Sequence, residues 1–200
     1  MCDVSSLGAL RSIYGAPAKA SLVKEANLIT SHYRAYIEAS PFAVLSTNSH
    51  EGLDCSPRGG PPGFVSVRDS KTLLLPDRLG NNRLDSLSNI IADARVGLLF
   101  LIPGVSNTLR VKGRAAITTE SELVRLFAIE DKVPRTVIVV TVTAVYFQCT
   151  RAISRADLWN GRKHVDPKSL PTAGQILAAL SNEQIRATEH DARWQRVALD

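Results

Sequence analysis

The chain has 200 residues, of which 44% are hydrophobic and 22% are charged, and its 24 basic and 19 acidic side chains give a net charge of +5. These values are ordinary for a soluble globular protein, and the length favours one domain with a sizeable core over two full domains. The positive excess could attract phosphates or nucleic acid, but the basic residues are spread along the chain without a run of four and without interleaved aromatic residues. Composition therefore favours a solvated basic surface over nucleic-acid binding.

Cysteine and histidine usage narrows the compartment and the cofactor class. The three cysteines are an odd number without a CxxC pair, which argues against a disulfide framework or a zinc ribbon and suits a reducing cytosol. The four histidines are isolated, so no metal site is predicted. The N-terminal residues have no basic segment before an apolar core, and no apolar run reaches membrane-spanning length. We therefore expect a cytoplasmic protein with no metal, no nucleic acid and no membrane partner.

In chain order, residues 1–20 show little periodicity and are predicted to be an irregular lead-in. From Leu22 to Ala39 apolar residues recur at helical spacing, with Ser21 as a candidate cap and Ser40-Pro41 as a stop. A β-rich block follows, in which short strands alternate with turn-forming clusters. The predicted strands are Phe42–Thr47, Leu53–Ser56, Phe64–Arg68, Leu73–Leu75, Val96–Ile102, Thr108–Thr118 and Val137–Gln148.

Helices are predicted between and after these strands. An apolar stripe predicts a helix from Arg83 to Ala94, and a capping box that begins at Thr119 predicts a short helix through Ala128. Six or seven short strands with a few helices favour a mainly β fold, a small antiparallel barrel with flanking helices. We expect one structural domain in three parts: an N-terminal segment and helix at 1–40, the barrel at 41–159 and a helical extension at 160–200.

The segment Leu73–Asn89, LLLPDRLGNNRLDSLSN, combines the parts that seat a phosphate. An apolar strand leads through a Gly-Asn-Asn loop to a new helix, where free backbone N–H groups and the positive end of the helix dipole favour an anion. The candidate ligands are Arg78, Asn82, Arg83 and Ser86, since an arginine fork matches a phosphate bidentately. The alternative is a simple turn whose Asn and Arg side chains cap the helix.

Two further segments carry candidate binding residues. In Cys55–Gly60, CSPRGG, proline fixes the backbone and two glycines permit close approach of a planar ligand, whose negative charge Arg58 would stabilise. In Leu109–Arg114, LRVKGR, strand periodicity places three cations on one face, which suggests an anion opposite them. A hairpin with an exposed arginine and a solvated strand face are the alternatives. We find no nucleophile paired with a base.

Taken together, these segments resemble the pyridoxamine 5′-phosphate oxidase-like, FMN-binding split-barrel family, in a branch of uncharacterised bacterial proteins. The resemblance runs from about Pro41 to Trp159 and is carried, in order, by the motifs PFAVLST, DCSPRGGPPGFV, LLLPDRLGNNRLDSLSNI, VGLLFLIPG, TLRVKGRA and QCTRAISRADLW. It implies a six-stranded antiparallel split β-barrel and a homodimer that binds FMN in two clefts at the subunit interface.

The resemblance also implies which residues contact FMN. Ser56, Pro57 and Arg58 would lie along the isoalloxazine, with Leu75, Pro76 and Asp77 on the strand beside it. Asn82 and Arg83 match the phosphate-gripping positions, helped by Arg78 and Ser86. Three residues would come from the partner subunit: Asn107, Thr108 and Arg110.

The chain departs from the true oxidases at its C-terminus. They carry an Arg-Leu-His-like segment that holds the vitamin's phosphate, and the ending HDARWQRVALD does not reproduce it. The resemblance therefore implies FMN binding without vitamin B6 oxidation. The leading hypothesis is a flavoprotein that transfers hydride or electrons to a small molecule through flavin N5. The alternatives are an F420-dependent reductase and a flavin-binding or sensing module without turnover.

Overall fold

The structure, a computed structural model, describes residues 3–50, 52–130 and 132–197. The chain divides into two compact units at Trp159. Within the described residues, every strand belongs to the first unit. The strands are β1 Phe42–Ser49, β2 Gly52–Gly59, β3 Ser66–Val67, β4 Thr72–Asp77, β5 Arg95–Leu101, β6 Thr108–Thr118 and β7 Thr136–Gln148. The helices of this unit are α1 Leu7–Tyr14, α2 Lys19–Val23, α3 Ser31–Ala39, α4 Asp85–Ala92, α5 Ser121–Arg125 and α6 Arg151–Ala156.

One antiparallel sheet contains all seven of these strands, in the order β2-β1-β5-β6-β7-β4-β3. The predicted mainly β fold with flanking helices is confirmed. The sheet is not a closed ladder, however, and it has seven strands where the family resemblance implied six. The additional strand is β3, which contributes two residues at one edge of the sheet.

The sheet curls so that its two sides meet. Strands β2 and β4 are five places apart in the order of the sheet, so a flat sheet would separate them by about 24 Å at roughly 4.8 Å per strand. Yet Nη1 of Arg58 on β2 lies 2.7 Å from Oδ1 of Asp77 at the end of β4. An ion pair therefore joins two strands that the backbone ladder leaves apart, which is the geometry of a split barrel.

Alternation along the strands explains how the core forms. On β6, Leu109 and Val111 are fully buried, and Arg110 and Lys112, which alternate with them, point outward, as the period of two predicts. The register between β6 and β7 shifts after Lys112, at a bulge where Gly113 approaches β7 closely. A Cβ on Gly113 would lie 2.5 Å from the Thr141 carbonyl oxygen, so only glycine fits there.

The N-terminal region differs from its prediction in two ways. Residues predicted to be irregular include helix α1, capped by the Ser6 side chain. The single helix predicted from Leu22 to Ala39 is interrupted, because Ala26 forms an antiparallel bridge with Val145 of β7 and thereby extends the chain between α2 and α3. Thr30 caps α3, and Ser21, the predicted cap, lies within α2. The stop at Ser40-Pro41 is confirmed, since α3 ends at Ala39.

Two helix starts were also predicted wrongly. Helix α4 begins at Asp85 instead of Arg83, because Leu84 adopts a left-handed conformation with φ of 62°. The capping box predicted at Thr119 does not form. The Thr118 hydroxyl accepts a hydrogen bond from the Glu120 backbone N–H, and α5 starts one residue later, at Ser121.

The second unit is helical in its described residues, as predicted for the extension at 160–200. Two short 3₁₀ turns, Gly161–Lys163 and Pro167–Ser169, precede helices α7 Ala173–Leu180 and α8 Ala187–Val197. Asp191 of α8 accepts hydrogen bonds from the Thr172 hydroxyl at 2.6 Å and the Gly174 backbone N–H at 2.8 Å. These bonds hold the pKa of the Asp191 carboxyl below its usual range and fix the two helices to each other.

Candidate functional site

A cleft of about 420 Å³ lies where β2 and β4 end. Its walls come from three segments: the end of β2 with the loop that follows it, the end of β4 with its own loop, and the turn after α5. The lining residues are Pro57–Phe64, Pro76, Arg78–Gly80 and Leu126–Ile129. Of the sequence-predicted site residues, Pro57, Arg58, Pro76 and Arg78 are therefore brought together in this cleft.

Arg58 is the buried cation of the cleft. Its side chain is 20% exposed, and it is paired with Asp77, which is 15% exposed. Nε of Arg58 is buried and has no hydrogen-bond partner among the described residues. A buried donor without a partner costs about 1–3 kcal/mol, which makes Nε a candidate donor to a bound molecule.

A second buried polar group without a hydrogen-bond partner among the described residues lies next to Asp77, on β7. Thr136, the first residue of β7, is directly opposite Asp77 in the strand register, so both side chains lie on the same face of the sheet. Its hydroxyl oxygen is also buried without a partner within the part of the chain that the structure describes. Arg58 and Thr136 thus place two free polar atoms at the join of the split barrel.

Two prolines give the cleft flat apolar surfaces without disrupting the sheet. Pro57 lies on β2, an edge strand that pairs only with β1, so its missing N–H removes no bond from a second neighbour. Pro76 lies on β4 beyond the two residues that pair with β3, and its side chain is buried. Both rings line the cleft.

The loop after β2 packs so tightly that it requires glycine. A Cβ on Gly60 would lie 2.8 Å from Cβ of Phe64, a distance that real Cβ atoms do not tolerate. Phe64 in turn packs against the hydrophobic core of the barrel. The two glycines that the sequence suggested for close approach of a ligand are therefore used, at least at Gly60, for close packing of the cleft wall.

The opposite wall is the turn after α5, which the sequence did not predict to be part of the site. Nη2 of Arg78 donates to the Phe127 carbonyl oxygen at 2.8 Å and thereby ties this turn to the end of β4. Leu79 and Leu126 line the cleft and are 75% and 66% exposed. The entrance of the cleft is consequently apolar, whereas its base carries Arg58.

The predicted phosphate loop leads into α4 with an unusual backbone. Asn82 and Leu84 both have positive φ, at 59° and 62°, a conformation that non-glycine residues adopt at a cost of about 1 kcal/mol or more. Leu84 is the N-cap and makes no side-chain cap hydrogen bond. The first turn of α4 therefore presents N–H groups that no capping side chain satisfies, as the phosphate hypothesis requires.

The cations at this loop are exposed. Nε of Arg83 lies 2.8 Å from Oδ2 of Asp85, with the two side chains 74% and 48% exposed. Arg135, which precedes β7, reaches the same loop with Nη1 at 3.4 Å from Oδ1 of Asn82. Arg135 was not predicted to be a site residue, because only the pairing of β7 with β4 brings it to this loop. Its backbone N–H donates to the Asp77 carbonyl oxygen.

Three other predicted site residues, Ser86, Leu75 and Ser56, lie on α4, β4 and β2 and do not line the cleft. Ser86 is 4% exposed, and its hydroxyl donates to Oδ2 of Asp54 at 2.9 Å, which ties α4 to β2. Leu75 is fully buried, so its side chain belongs to the core and only its backbone is available for a ligand. Ser56 is half-buried on β2, two residues from Arg58 and on the same face of the strand.

The residues predicted to reach a partner's flavin lie at the start of β6 and just before it. Asn107 donates to the Gln148 carbonyl oxygen at 3.0 Å, and Thr108 begins β6. Arg110 donates to the Tyr146 hydroxyl at 3.3 Å. Through β5 and β1, Arg110 is in register with Pro57 of β2, three strands or roughly 14 Å away at about 4.8 Å per strand. None of these three residues lines the cleft of its own chain.

The sequence also matches a known family model over the part of the chain that forms the barrel. The model of pyridoxamine 5′-phosphate oxidase matches residues 29–149, which is more than half of the chain. The chain belongs to this family. The match spans every strand described above and the residues that line the cleft. No curated protein sequence matches the chain.

Solved structures with a similar arrangement are distant relatives at most. HupZ of Group A Streptococcus is 20% identical with a TM-score of 0.49, over 60% of this chain and 93% of that one. General Stress Protein 26 from Bacillus anthracis is 16% identical with a TM-score of 0.45, over 56% and 88%. An FMN-binding protein from Syntrophomonas wolfei is 13% identical with a TM-score of 0.44, over 72% and 97%. Similarity at this level does not transfer a function.

No group of three or more His, Cys, Asp or Glu side chains among the described residues is placed to hold a metal ion. No described helix is both long and apolar enough to cross a membrane.

Proposed function

We propose that this protein is a cytoplasmic, homodimeric FMN-binding oxidoreductase that transfers hydride or electrons to a small molecule. The observation that carries the proposal is the cleft at the join of the barrel, where Arg58 is held by Asp77 yet keeps a buried N–H free. Membership of the pyridoxamine 5′-phosphate oxidase family supports a flavin as the occupant. The odd cysteines without a CxxC pair support the cytoplasmic location.

The residues present fit a flavin. Its ring system is planar, largely apolar and edged with hydrogen-bond acceptors, and the cleft offers the proline rings of Pro57 and Pro76 beside the free Nε of Arg58. Its phosphate requires N–H donors and positive charge. The uncapped first turn of α4 and the side chain of Arg83 supply both.

When bound, FMN would supply the hydride or electron transfer itself. The chain's part is to bind, orient and exclude water. Arg58 would place a fixed positive charge beside the ring system, and Asp77 would keep the guanidinium in one orientation. Leu79 and Leu126 would limit access of water to the cleft. This division of labour needs no nucleophile from the protein.

We further propose that the functional unit is a dimer. Asn107, Thr108 and Arg110 would complete the flavin site of the neighbouring subunit, since none of them lines the cleft of its own chain. The absence of an Arg-Leu-His-like segment from the C-terminal residues HDARWQRVALD supports a substrate other than pyridoxamine 5′-phosphate.

An absorption spectrum of the purified protein, with mass spectrometry of the molecule that heat releases, tests the cofactor. We expect a flavin spectrum and release of FMN. Release of a deazaflavin would replace FMN by F420. A colourless protein that also fails to bind added FMN would overturn flavin binding altogether. Bound FMN that no nicotinamide donor reduces would leave the binding intact and overturn the oxidoreductase part.

A further inference from the structure

Three cations surround the phenol ring of Tyr146 on the outer face of β6 and β7. The guanidinium carbon of Arg110 and Nζ of Lys112 each lie 5.6 Å from the ring centroid, and Nζ of Lys24 lies 6.0 Å from it. Lys24 also lies 5.0 Å from the centroid of Phe147. We refer to Lys24, Arg110, Lys112 and Tyr146 as the Tyr146 cluster. It brings together two elements that are more than eighty residues apart in the sequence.

The backbone holds the cluster in place. Ala26 and Val145 exchange two hydrogen bonds, of 3.0 and 2.8 Å, and the antiparallel direction of this bridge puts Lys24 opposite Phe147. The hydroxyl of Tyr33 on α3 donates to the Lys24 carbonyl oxygen. Arg110 and Lys112 project from the same face of β6, and Arg110 is directly opposite Tyr146 in the register. Lys24 is therefore carried by ordered backbone and not by a free tail.

The positive charge of the cluster is uncompensated. Among the described residues, no carboxylate lies within 4.0 Å of the charged nitrogens of Lys24, Arg110 or Lys112, which is the distance that defines an ion pair. Tyr146 is 9% exposed, and this burial alone would raise its pKa. The hydrogen bond from Arg110 and the charges of Arg110 and Lys112 outweigh burial and lower the pKa of the phenol below its usual range. The phenol thus senses a positive potential.

We propose that the Tyr146 cluster is a binding site for a small molecule that carries a phosphate ester or pyrophosphate group. The Arg110 guanidinium can bind two phosphate oxygens at once, and the two lysines add point charges. Three positive charges match a multiply charged phosphate better than a single carboxylate.

Arg110 is also one of the residues proposed to reach the flavin of a partner subunit, so the inference rests in part on the proposed function. Lys24 and Lys112 are not among those residues, and they distinguish the new site. Two sources share the required chemistry: the phosphate of the partner's FMN and the phosphate of a separate substrate. FMN that displaces pyrophosphate from the Tyr146 cluster identifies the first source, and pyrophosphate that stays on the cluster while FMN is bound identifies the second.

Calorimetric titration of the purified protein with inorganic pyrophosphate tests the site. We expect Lys24→Gln and Lys112→Gln each to weaken pyrophosphate binding by about fivefold or more, because each removes a charge-assisted contact. The matched control is Arg114→Gln, which removes the same charge from the same exposed face of β6, two residues beyond Lys112. It should change the affinity by less than about twofold. Equal weakening in all three variants would mean diffuse attraction to a basic surface and would overturn the proposal.

A second readout separates this site from the phosphate loop at α4, which pyrophosphate can also occupy. Tyrosinate absorbance is recorded against pH, and the curve of Tyr146→Phe is subtracted from that of the wild type to isolate Tyr146. Bound pyrophosphate should raise the pKa of Tyr146, since the anion offsets the cations that lower it. If pyrophosphate binds and this pKa does not change, the anion is elsewhere and the proposal fails. That result would leave the proposed flavin function untouched.

Discussion

The cations near the two ends of β7 differ in whether a carboxylate neutralises them. Near Thr136, Arg58 is half-buried and paired with Asp77, and its Nε is buried without a partner among the described residues. Near Tyr146, Lys24, Arg110 and Lys112 lie together with no carboxylate near them among the described residues. An arginine that already has its counterion is fixed in orientation and suits a polar but nearly neutral ring edge. A group of cations without one is suited to a ligand that brings its own negative charge.

Removal of Asp77 should have the largest effect on stability, because it leaves Arg58, near Thr136, without a counterion, like the cations near Tyr146. Asp77→Ala leaves Arg58 buried without a counterion and should lower the free energy of unfolding by roughly 2–3 kcal/mol, less than for a fully buried pair. Urea denaturation measures this. Asp85→Ala, which breaks the exposed pair with Arg83, is the control and should cost about 0.5 kcal/mol or less. Equal losses in the two variants would show that the Arg58–Asp77 pair is not special.

The next effect concerns Arg83, whose exposed pair with Asp85 must be replaced when it grips a phosphate. Arg83→Ala should weaken FMN binding by roughly 1.5 kcal/mol, or about tenfold, at the lower end of the range for hydrogen bonds to charged groups. Fluorescence titration of the apoprotein with FMN provides the measurement. Arg114→Gln, with the same change in net charge, should bind FMN like the wild type. A folded Arg83→Ala variant with unchanged affinity would exclude Arg83 from the site.

A smaller effect should follow from supplying the missing counterion at the other end. Lys112→Glu places a carboxylate beside Arg110 and Lys24 and should raise the free energy of unfolding by about 0.5 kcal/mol, whereas Lys112→Gln should change it less. Thermal unfolding at low ionic strength compares the two variants, and added salt should reduce the difference between them. Destabilisation by Lys112→Glu would indicate that the lysine packs in a way that its charge does not explain.

The smallest expected effect is a pH dependence at a pair remote from both ends. Hydrogen bonds from the Arg95 side chain and backbone, and from the Asn48 amide, hold the pKa of Asp93 well below its usual range. Because the folded-state pKa is depressed, this contribution is present above the ordinary carboxyl pKa of about 4 and is lost as the pH falls below it. Asp93→Asn should therefore be less acid-sensitive than the wild type between about pH 4 and pH 2. Parallel acid-unfolding curves would contradict this.

Local patterns were sufficient to predict much of the fold. Alternation on β6 and the turn-forming clusters between strands depend on near neighbours in the sequence, and the structure has a strand at each predicted position. The interruption of the predicted N-terminal helix could not be predicted this way. It depends on a bridge between Ala26 and Val145, which only the assembled sheet creates. The left-handed Leu84 was equally hidden, since nothing in that residue type favours positive φ.

The candidate site shows the same limit. The sequence identified Arg58, Pro76 and Arg78 because turns and family motifs mark them, and the structure places all three on one cleft. It did not identify the wall at Leu126–Ile129 or the approach of Arg135 to Asn82, since both depend on which strands pair. Tyr146 was predicted only to be part of the strand Val137–Gln148, and the cations around it come from β6 and from Lys24, which are distant in the sequence.

The bridge between Ala26 and Val145 has a consequence for how the chain behaves in solution. Strand β4 stops pairing with β7 at Thr141, so beyond that point one edge of β7 is covered by Lys71 and by the segment around Ala26. A chain that began at residue 29 would leave this edge of a β-branched, apolar strand open to pairing with another molecule. The residues before the barrel therefore protect this edge from pairing with another molecule. Their removal should reduce solubility more than it changes the cleft.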